Sequence, residues 1–190
     1  MKKLFTAAVA LICITMVVVS FTACGDDDNE TNGSPAQTRT LSAAEVCYMV
    51  HMPNNGRKIC DYIVSYIDAD GQEKTGMLAD TAWVKKITVK NFPFTATIKM
   101  NVQRNGNELT DSSYNFKVYY AVYSITSIFS DGTKEVNYKD LTPSYDGQAC
   151  KANKAEAYIA ERLSVPGHLK TKSIDLSTNG KVLYFQKGKN

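Results

Sequence analysis

The stretch Phe94-Thr95-Ala96-Thr97-Ile98-Lys99-Met100-Asn101-Val102-Gln103 decides the fold. Phe94, Ala96, Ile98, Met100 and Val102 take every second position, and Thr, Lys, Asn and Gln fill the places between. Side chains along a strand point to alternate faces, so five such repeats mean a strand with one buried face. Upstream, residues 83–90 repeat the pattern more weakly: Ile87 and Val89 face in, while Lys86, Thr88 and Lys90 face out. Residues 62–67 and 116–129 are β-branched and aromatic on both faces, as central strands require.

Between these runs stand Asn55-Gly56, Asp70-Gly71, Asn105-Gly106, Asp131-Gly132, Asp146-Gly147 and Asn179-Gly180. Asn or Asp before Gly supplies the positive φ angles of tight turns. Six such signals predict an antiparallel, hairpin-rich domain. One segment departs from this. Residues 151–163 are alanine-rich, and Ala152, Ala155, Ile159 and Leu163 lie on one helical stripe that Pro166-Gly167 ends. This predicts a single short helix packed on or capping the sheet. A last hairpin is expected from residues 173–177 and 181–186. The fold class that follows is all-β and mainly antiparallel: an immunoglobulin-like β-sandwich of about seven to nine strands with one short α-helix. A small β-barrel is the alternative, because a sequence does not distinguish one closed sheet from two stacked ones.

The chain has 190 residues, 44% hydrophobic and 22% charged, which is globular composition and leaves room for one ordinary domain. Residues 41–190 hold 19 of the 22 basic and 15 of the 19 acidic residues, a net of +4. That is mild, and Lys85-Lys86 and Arg57-Lys58 are only pairs. Nucleic-acid binding calls for clustered Lys and Arg, so no nucleic-acid partner is expected. Paired lysines on a strand read instead as a solvated face or a guard against edge pairing.

The N-terminus carries a location. Lys2 and Lys3 precede an uncharged run, Leu4 to Ala23, that ends in Phe21-Thr22-Ala23-Cys24. Twenty uncharged residues are long enough to span a bilayer as a transmembrane anchor. Small residues directly before a cysteine favour removal by a signal peptidase instead. The tetrad resembles the lipobox of bacterial lipoproteins, with Phe21 in place of the usual leucine. The run Gly25-Asp26-Asp27-Asp28-Asn29-Glu30 resembles the surface-export signal of lipoproteins in the Bacteroidota phylum. This resemblance covers residues 1–30 and implies three things: a signal peptide at 1–23, lipidation of Cys24, and an outer-membrane, surface-exposed location. Two or more acyl chains would anchor the chain to the membrane stably. Residues 24–40 have nothing to bury and read as an acidic tether of about 16 residues, spanning on the order of 20–25 Å.

With Cys13 in the signal and Cys24 lipidated, Cys47, Cys60 and Cys150 remain. One disulfide and one free thiol is the simplest arithmetic, with three pairings open. Cys47 and Cys60 flank Pro53-Asn54-Asn55-Gly56, so they would face each other across a hairpin. The alternative is three thiols buried as small hydrophobes. No zinc-ligand spacing is present, and neither a metal nor a cofactor is expected.

Catalytic signals are sparse. No GxSxG is present, and His51 and His168 read as exposed loop residues. Cys150 has no histidine nearby in sequence. Asp61, Asp68, Asp70 and Glu73 form the densest carboxylate cluster. They would serve a glycoside hydrolase or a calcium loop, but Asp68-Ala69-Asp70-Gly71 reads first as a turn. The chain is therefore expected not to be an enzyme, with a hydrolase using this cluster as the alternative. Aromatic residues give a further lead. On the 116–129 strand, Tyr119, Ala121, Tyr123 and Ile125 share a face in strict alternation. If that face is outward, Tyr119 and Tyr123 form a stacking platform for a glycan or a partner protein. If not, the helix or the second sheet covers them. The expected function is a non-catalytic binding module on a surface lipoprotein. A structural subunit or cap of a surface polymer is the alternative.

Overall fold

A computed structural model describes residues 39–183. The signal segment, Cys24 and the tether up to residue 38 lie outside the described residues, as do residues 184–186 of the last expected strand. No helix among the described residues is long and apolar enough to cross a membrane.

Twelve strands form among the described residues. The first sheet has the order β4-β1-β7-β8, from β1 (Leu41–His51), β4 (Ala82–Val89), β7 (Val118–Phe129) and β8 (Lys134–Lys139). The short β9 (Tyr145–Asp146) pairs with β7 further along. The second sheet has the order β12-β11-β5-β2-β3, from β2 (Cys60–Ile67), β3 (Glu73–Met77), β5 (Phe94–Arg104), β11 (Lys172–Leu176) and β12 (Val182–Leu183). A small ribbon joins β6 (Ser113–Asn115) to β10 (Ala149–Lys151). Every pairing is antiparallel, and neither sheet closes on itself. The fold is an all-β sandwich and not a barrel. The strand count exceeds seven to nine because short pairings at the ends add to the long ones.

The expected alternation of β5 holds. Phe94, Ala96, Ile98, Met100 and Val102 are all buried in the interlayer. Four of these are large apolar side chains worth roughly 2 kcal/mol each, about the net stability of a whole domain. Ile87 and Val89 of β4 are buried as expected, and β4 is an edge strand, where Lys85 and Lys86 discourage further pairing. Both expected central strands, β2 and β7, have neighbours on each side.

The hairpin across Asn55-Gly56 does not form. The chain crosses there from one sheet to the other through a 3₁₀ turn, Asn55–Lys58. β1 pairs with β4 and β7, while β2 pairs with β3 and β5. Gly56 is buried, and a Cβ on it would lie 2.6 Å from the Asn115 carbonyl oxygen. Close approach, not a turn angle, is what requires glycine here. The other five turn glycines all have positive φ.

The helix forms as α1 (Ala152–Tyr158) and continues as a π-turn through Ile159–Leu163. Ala155, Tyr158, Ile159 and Leu163 are buried against the core. The domain also begins earlier than residue 41. Arg39 pairs with Glu135 and lies 3.6 Å over the Phe129 ring, and the Ser130 N–H donates to the Thr40 carbonyl. The last residues of the expected tether are therefore docked on the β7–β8 hairpin.

Candidate functional site

The two sheets meet along two seams of different character. On one, β3 and β4 approach. Tyr48, Tyr66 and Trp83 pack in a tilted series with ring centroids 5.4 Å apart at each step. Trp83 lies against Gly76 of β3, where a Cβ would come within 3.0 Å of its indole nitrogen. This seam is closed by aromatic rings.

The other seam lies between β7 and β8 on one side and β11 on the other. The Asn137 side chain donates to the Ser127 hydroxyl and to the Gly180 carbonyl, which fastens the β11–β12 hairpin across it at one end. Toward the other end the seam opens into a cleft of about 590 Å³. Its apolar floor includes Val122, Tyr138 and Ile174, and its polar groups include Asp140, Ser144, Asp146, Lys170 and Lys172.

Lys172 is the key to this opening. It pairs with Ile98 of β5, in phase with Ile174 and Leu176 on the inward face of β11. An ammonium thus takes a place where the alternation asks for an apolar side chain. Its Nζ lies 4.2 Å from the Tyr120 ring centroid and 3.3 Å from Asp146 Oδ2. Both partners are partly buried, at 27% and 30% side-chain exposure. Asp146 Oδ2 itself is shielded from solvent, and its contact with Lys172 is one of charge and not of a well-aligned donor. The Tyr120 hydroxyl donates to the Lys170 carbonyl at 2.7 Å, which ties the start of β11 to β7. Burial pushes the Tyr120 phenol above its ordinary value, and the nearby Asp146 carboxylate adds to the shift.

Asp140 is already engaged. Its Oδ2 accepts from the Tyr119 hydroxyl at 3.0 Å and its Oδ1 from the Thr142 N–H at 3.2 Å. A second recess of about 350 Å³ opens beside the cleft, lined by Gly147, Gln148, Tyr158, Arg162 and His168. The two openings draw on the same two segments: Asp146 lines the cleft and Gly147 and Gln148 the recess, while His168 lines the recess and Lys170 to Lys172 the cleft.

The expected tyrosine platform is not exposed. Tyr119 is only 4% exposed: Tyr145 packs on it at 6.0 Å and Asp140 caps its hydroxyl. Tyr123 is half-buried, with the Lys139 ammonium 5.9 Å from its ring centroid. The two tyrosines also do not continue one alternation. Cys47 pairs with Ser124 and Tyr48 with Val122, so Tyr123 is the extra residue of a β-bulge. Beyond it the parity flips, and Ile125 joins Val118, Tyr120 and Val122 on the inner face, not Tyr119 on the outer. The exposed aromatic at this edge is Tyr145, at 45%.

Cys47 and Cys60 do not face each other, because they belong to different sheets. Cys60 points into the core and carries a thiol, and burial pushes it up to about 12. Cys47 lies on the other face of β1, and no disulfide joins the two. His51 ends β1, half-buried, opposite Ala82 and Tyr119, and is not a loop residue. His168 is exposed in a turn, as expected. The Asp61–Glu73 carboxylates do not converge on a site. Asp68 and Asp70 cap the β2–β3 turn, with Asp70 also 3.3 Å from Lys74, and Glu73 pairs with Lys99 at 2.9 Å. The Gln72 N–H chiefly holds Asp70 below its ordinary value, as the Lys99 ammonium does Glu73. Among the described residues no three His, Cys, Asp or Glu side chains gather as a metal would need.

The cleft residues escaped the sequence reading because Asp146 and Lys172 are 26 positions apart and meet only through the stacking of two sheets. One signal was present: a lysine in phase with Ile174 and Leu176. No protein-family model matches the chain, and neither a curated protein nor a solved structure matches it.

Proposed function

We propose that this chain is a surface-exposed outer-membrane lipoprotein, anchored through Cys24, whose β-sandwich is a non-catalytic module that binds a glycan in its open seam. The cleft between β7 and β11 carries the reading. It is concave, within the volume range of small-ligand sites, and combines an apolar floor with a few convergent polar groups. Sugar rings need both: an apolar surface for their C–H faces and charged acceptors and donors for their hydroxyls. Tyr138 supplies part of the first, and Asp146, Ser144 and the two lysines supply the second.

The arrangement favours binding over hydrolysis. Asp140 is occupied by Tyr119 and Thr142, and Asp146 by Lys172. Neither stands as a free acid facing a free base, as glycoside hydrolysis requires. The edges count against the alternative of a polymer subunit. β4 presents Lys85 and Lys86, and β8 presents Lys134, Lys139 and the bulge at Asn137, all of which deter strand addition.

The test is a glycan array probed with the detergent-purified full chain, beside its Tyr138→Ala and Asp146→Asn variants. Binding that both variants lose at least tenfold is the expected result. An array that stays silent with folded protein removes the glycan reading, and capture of a surface protein instead would favour the partner-protein form. Palmitate labelling that disappears in Cys24→Ala tests the anchor.

A further inference from the structure

We infer that the ligand of the open seam is an acidic polysaccharide, a hydroxylated chain bearing carboxylates, with one carboxylate seated against Arg162 in the adjoining recess. This rests on the glycan reading of the cleft and names the class of glycan.

The argument begins with the second recess. It is next to the cleft along two segments of the chain: Asp146 lines the cleft and Gly147 the recess, and His168 lines the recess and Lys170 the cleft. A ligand longer than one ring that fills the cleft would extend past Asp146 and Lys170 toward it. The chemistry changes along that path. The cleft offers carboxylates and lysines in balance around an apolar floor. The recess offers the Arg162 guanidinium, the His168 imidazole and the Gln148 amide, with no carboxylate in its lining. Among the described residues Arg162 has no carboxylate in ion-pair range, whereas Arg39, Arg57 and Arg104 each have one. Its planar fork matches a carboxylate through two parallel hydrogen bonds.

The support beneath Arg162 is firm. Tyr158 is buried with its ring edge-on to His168, centroids 6.5 Å apart. Arg162 rises from the π-turn, whose Ile159 and Leu163 are anchored in the core. A π-turn inside a helix is a costly local geometry that recurs at functional positions. Here it re-aims the residues between two core anchors. Lys170, two residues from His168, adds a further positive charge to the cleft lining.

The experiment is affinity electrophoresis of the full chain through gels holding polygalacturonate or its fully methyl-esterified form. The two polymers share a backbone and differ in charge. Retardation at least tenfold stronger by the acid is expected, weakening as salt rises. Arg162→Gln should remove most of that preference, and Arg162→Lys should restore part of it. Both substitutions are on an exposed residue, and an unchanged circular dichroism spectrum would show that the fold is kept. Equal retardation by the two polymers, or an acid preference that survives Arg162→Gln, overturns the inference while leaving the glycan reading in place. No retardation by either polymer, together with a silent glycan array, overturns both.

Discussion

The two seams of the sandwich are built on the same motif and end differently. Each has a lysine in an inward-facing strand position with its ammonium over a tyrosine ring. Lys85 stands opposite the core residue Tyr48, 5.9 Å from the Tyr66 centroid, and Lys172 stands opposite Ile98, 4.2 Å from the Tyr120 centroid. At the first seam the next inward residue is Trp83, which reaches Gly76 and fills the gap between the sheets. At the second it is Ile174, too small to do so, and the space beyond becomes the cleft. The cleft arises here not from added residues but from a missing large one. The charged pair that remains, Lys172 with Asp146, makes the wall of that gap polar.

The sharpest way to break the comparison is to open the closed seam. Trp83→Ala removes the ring that bridges β3 and β4, and should cost about 3 kcal/mol, since the ring is only half-buried. The urea midpoint measures it. A loss under about 1 kcal/mol would mean that the aromatic stack does not hold the seam.

The next largest effect is alkaline. The Cys60 thiol is pushed up to about 12 by burial, against roughly 8.5 in an unfolded chain. A folded value above the unfolded one gives stability that is present below pH 8.5 and lost as pH rises toward 12. The slope is at most about 1.4 kcal/mol per pH unit. Cys60→Ala should flatten the decline of melting temperature between pH 8.5 and 11. Peptide mapping should find Cys60 unmodified by iodoacetamide in the folded chain and in no cross-link to Cys47. A Cys47–Cys60 peptide pair would sink the two-sheet placement of these residues.

A hydrogen bond inside the closed seam comes third. The Tyr48 hydroxyl donates to the Ile67 carbonyl at 2.7 Å and is buried. Tyr48→Phe leaves that carbonyl without its donor and should cost about 1 to 1.5 kcal/mol in chemical denaturation. A change near zero would show that water replaces the donor and that the seam is not dry.

What was legible in the sequence follows the range of the interactions. β5 was legible because its alternation is local and its face is fully buried. The stripe of Ala155, Ile159 and Leu163 was legible for the same reason. The parity of β7 was not. One inserted residue, Tyr123, turns Ile125 inward, and a bulge leaves no mark in composition. The crossing at Asn55-Gly56 was misread because its dipeptide serves equally for a hairpin, and only the pairing of β1 with β7, far along the chain, decides between them. Tyr119 looked like an open platform because Tyr145 and Asp140, which cover it, are more than 20 residues away. The cleft was illegible as a whole, although Lys172 broke the alternation of its strand.

The open seam should respond less than the closed one. Lys172→Met removes one member of a pair that is a little under a third exposed, and the expected loss is about 1 kcal/mol. Most of it is the cost of leaving Asp146 shielded and alone. Adding Asp146→Leu should therefore return the stability to within a few tenths of the parent. If the double variant is as unstable as the single, the pair is not what shapes this seam.

The smallest effect carries the opposite sign. The Tyr62 hydroxyl is buried in the interlayer between the seams and has no hydrogen-bond partner. Burial chiefly pushes its phenol well above the ordinary value, with Cys60 and Tyr158 adding to the shift. A hydroxyl that gave up water and gained nothing weakens the fold, so Tyr62→Phe should leave stability unchanged or raise it by up to about 1 kcal/mol. Tyr48→Phe is the same chemical change in the facing sheet with the reverse expectation, because there the hydroxyl is satisfied. Measured together, the pair of variants separates the cost of losing a bond from the gain of losing an orphan. If Tyr62→Phe destabilises as much as Tyr48→Phe, a water molecule holds the Tyr62 hydroxyl, and the interlayer is hydrated beyond the cleft itself.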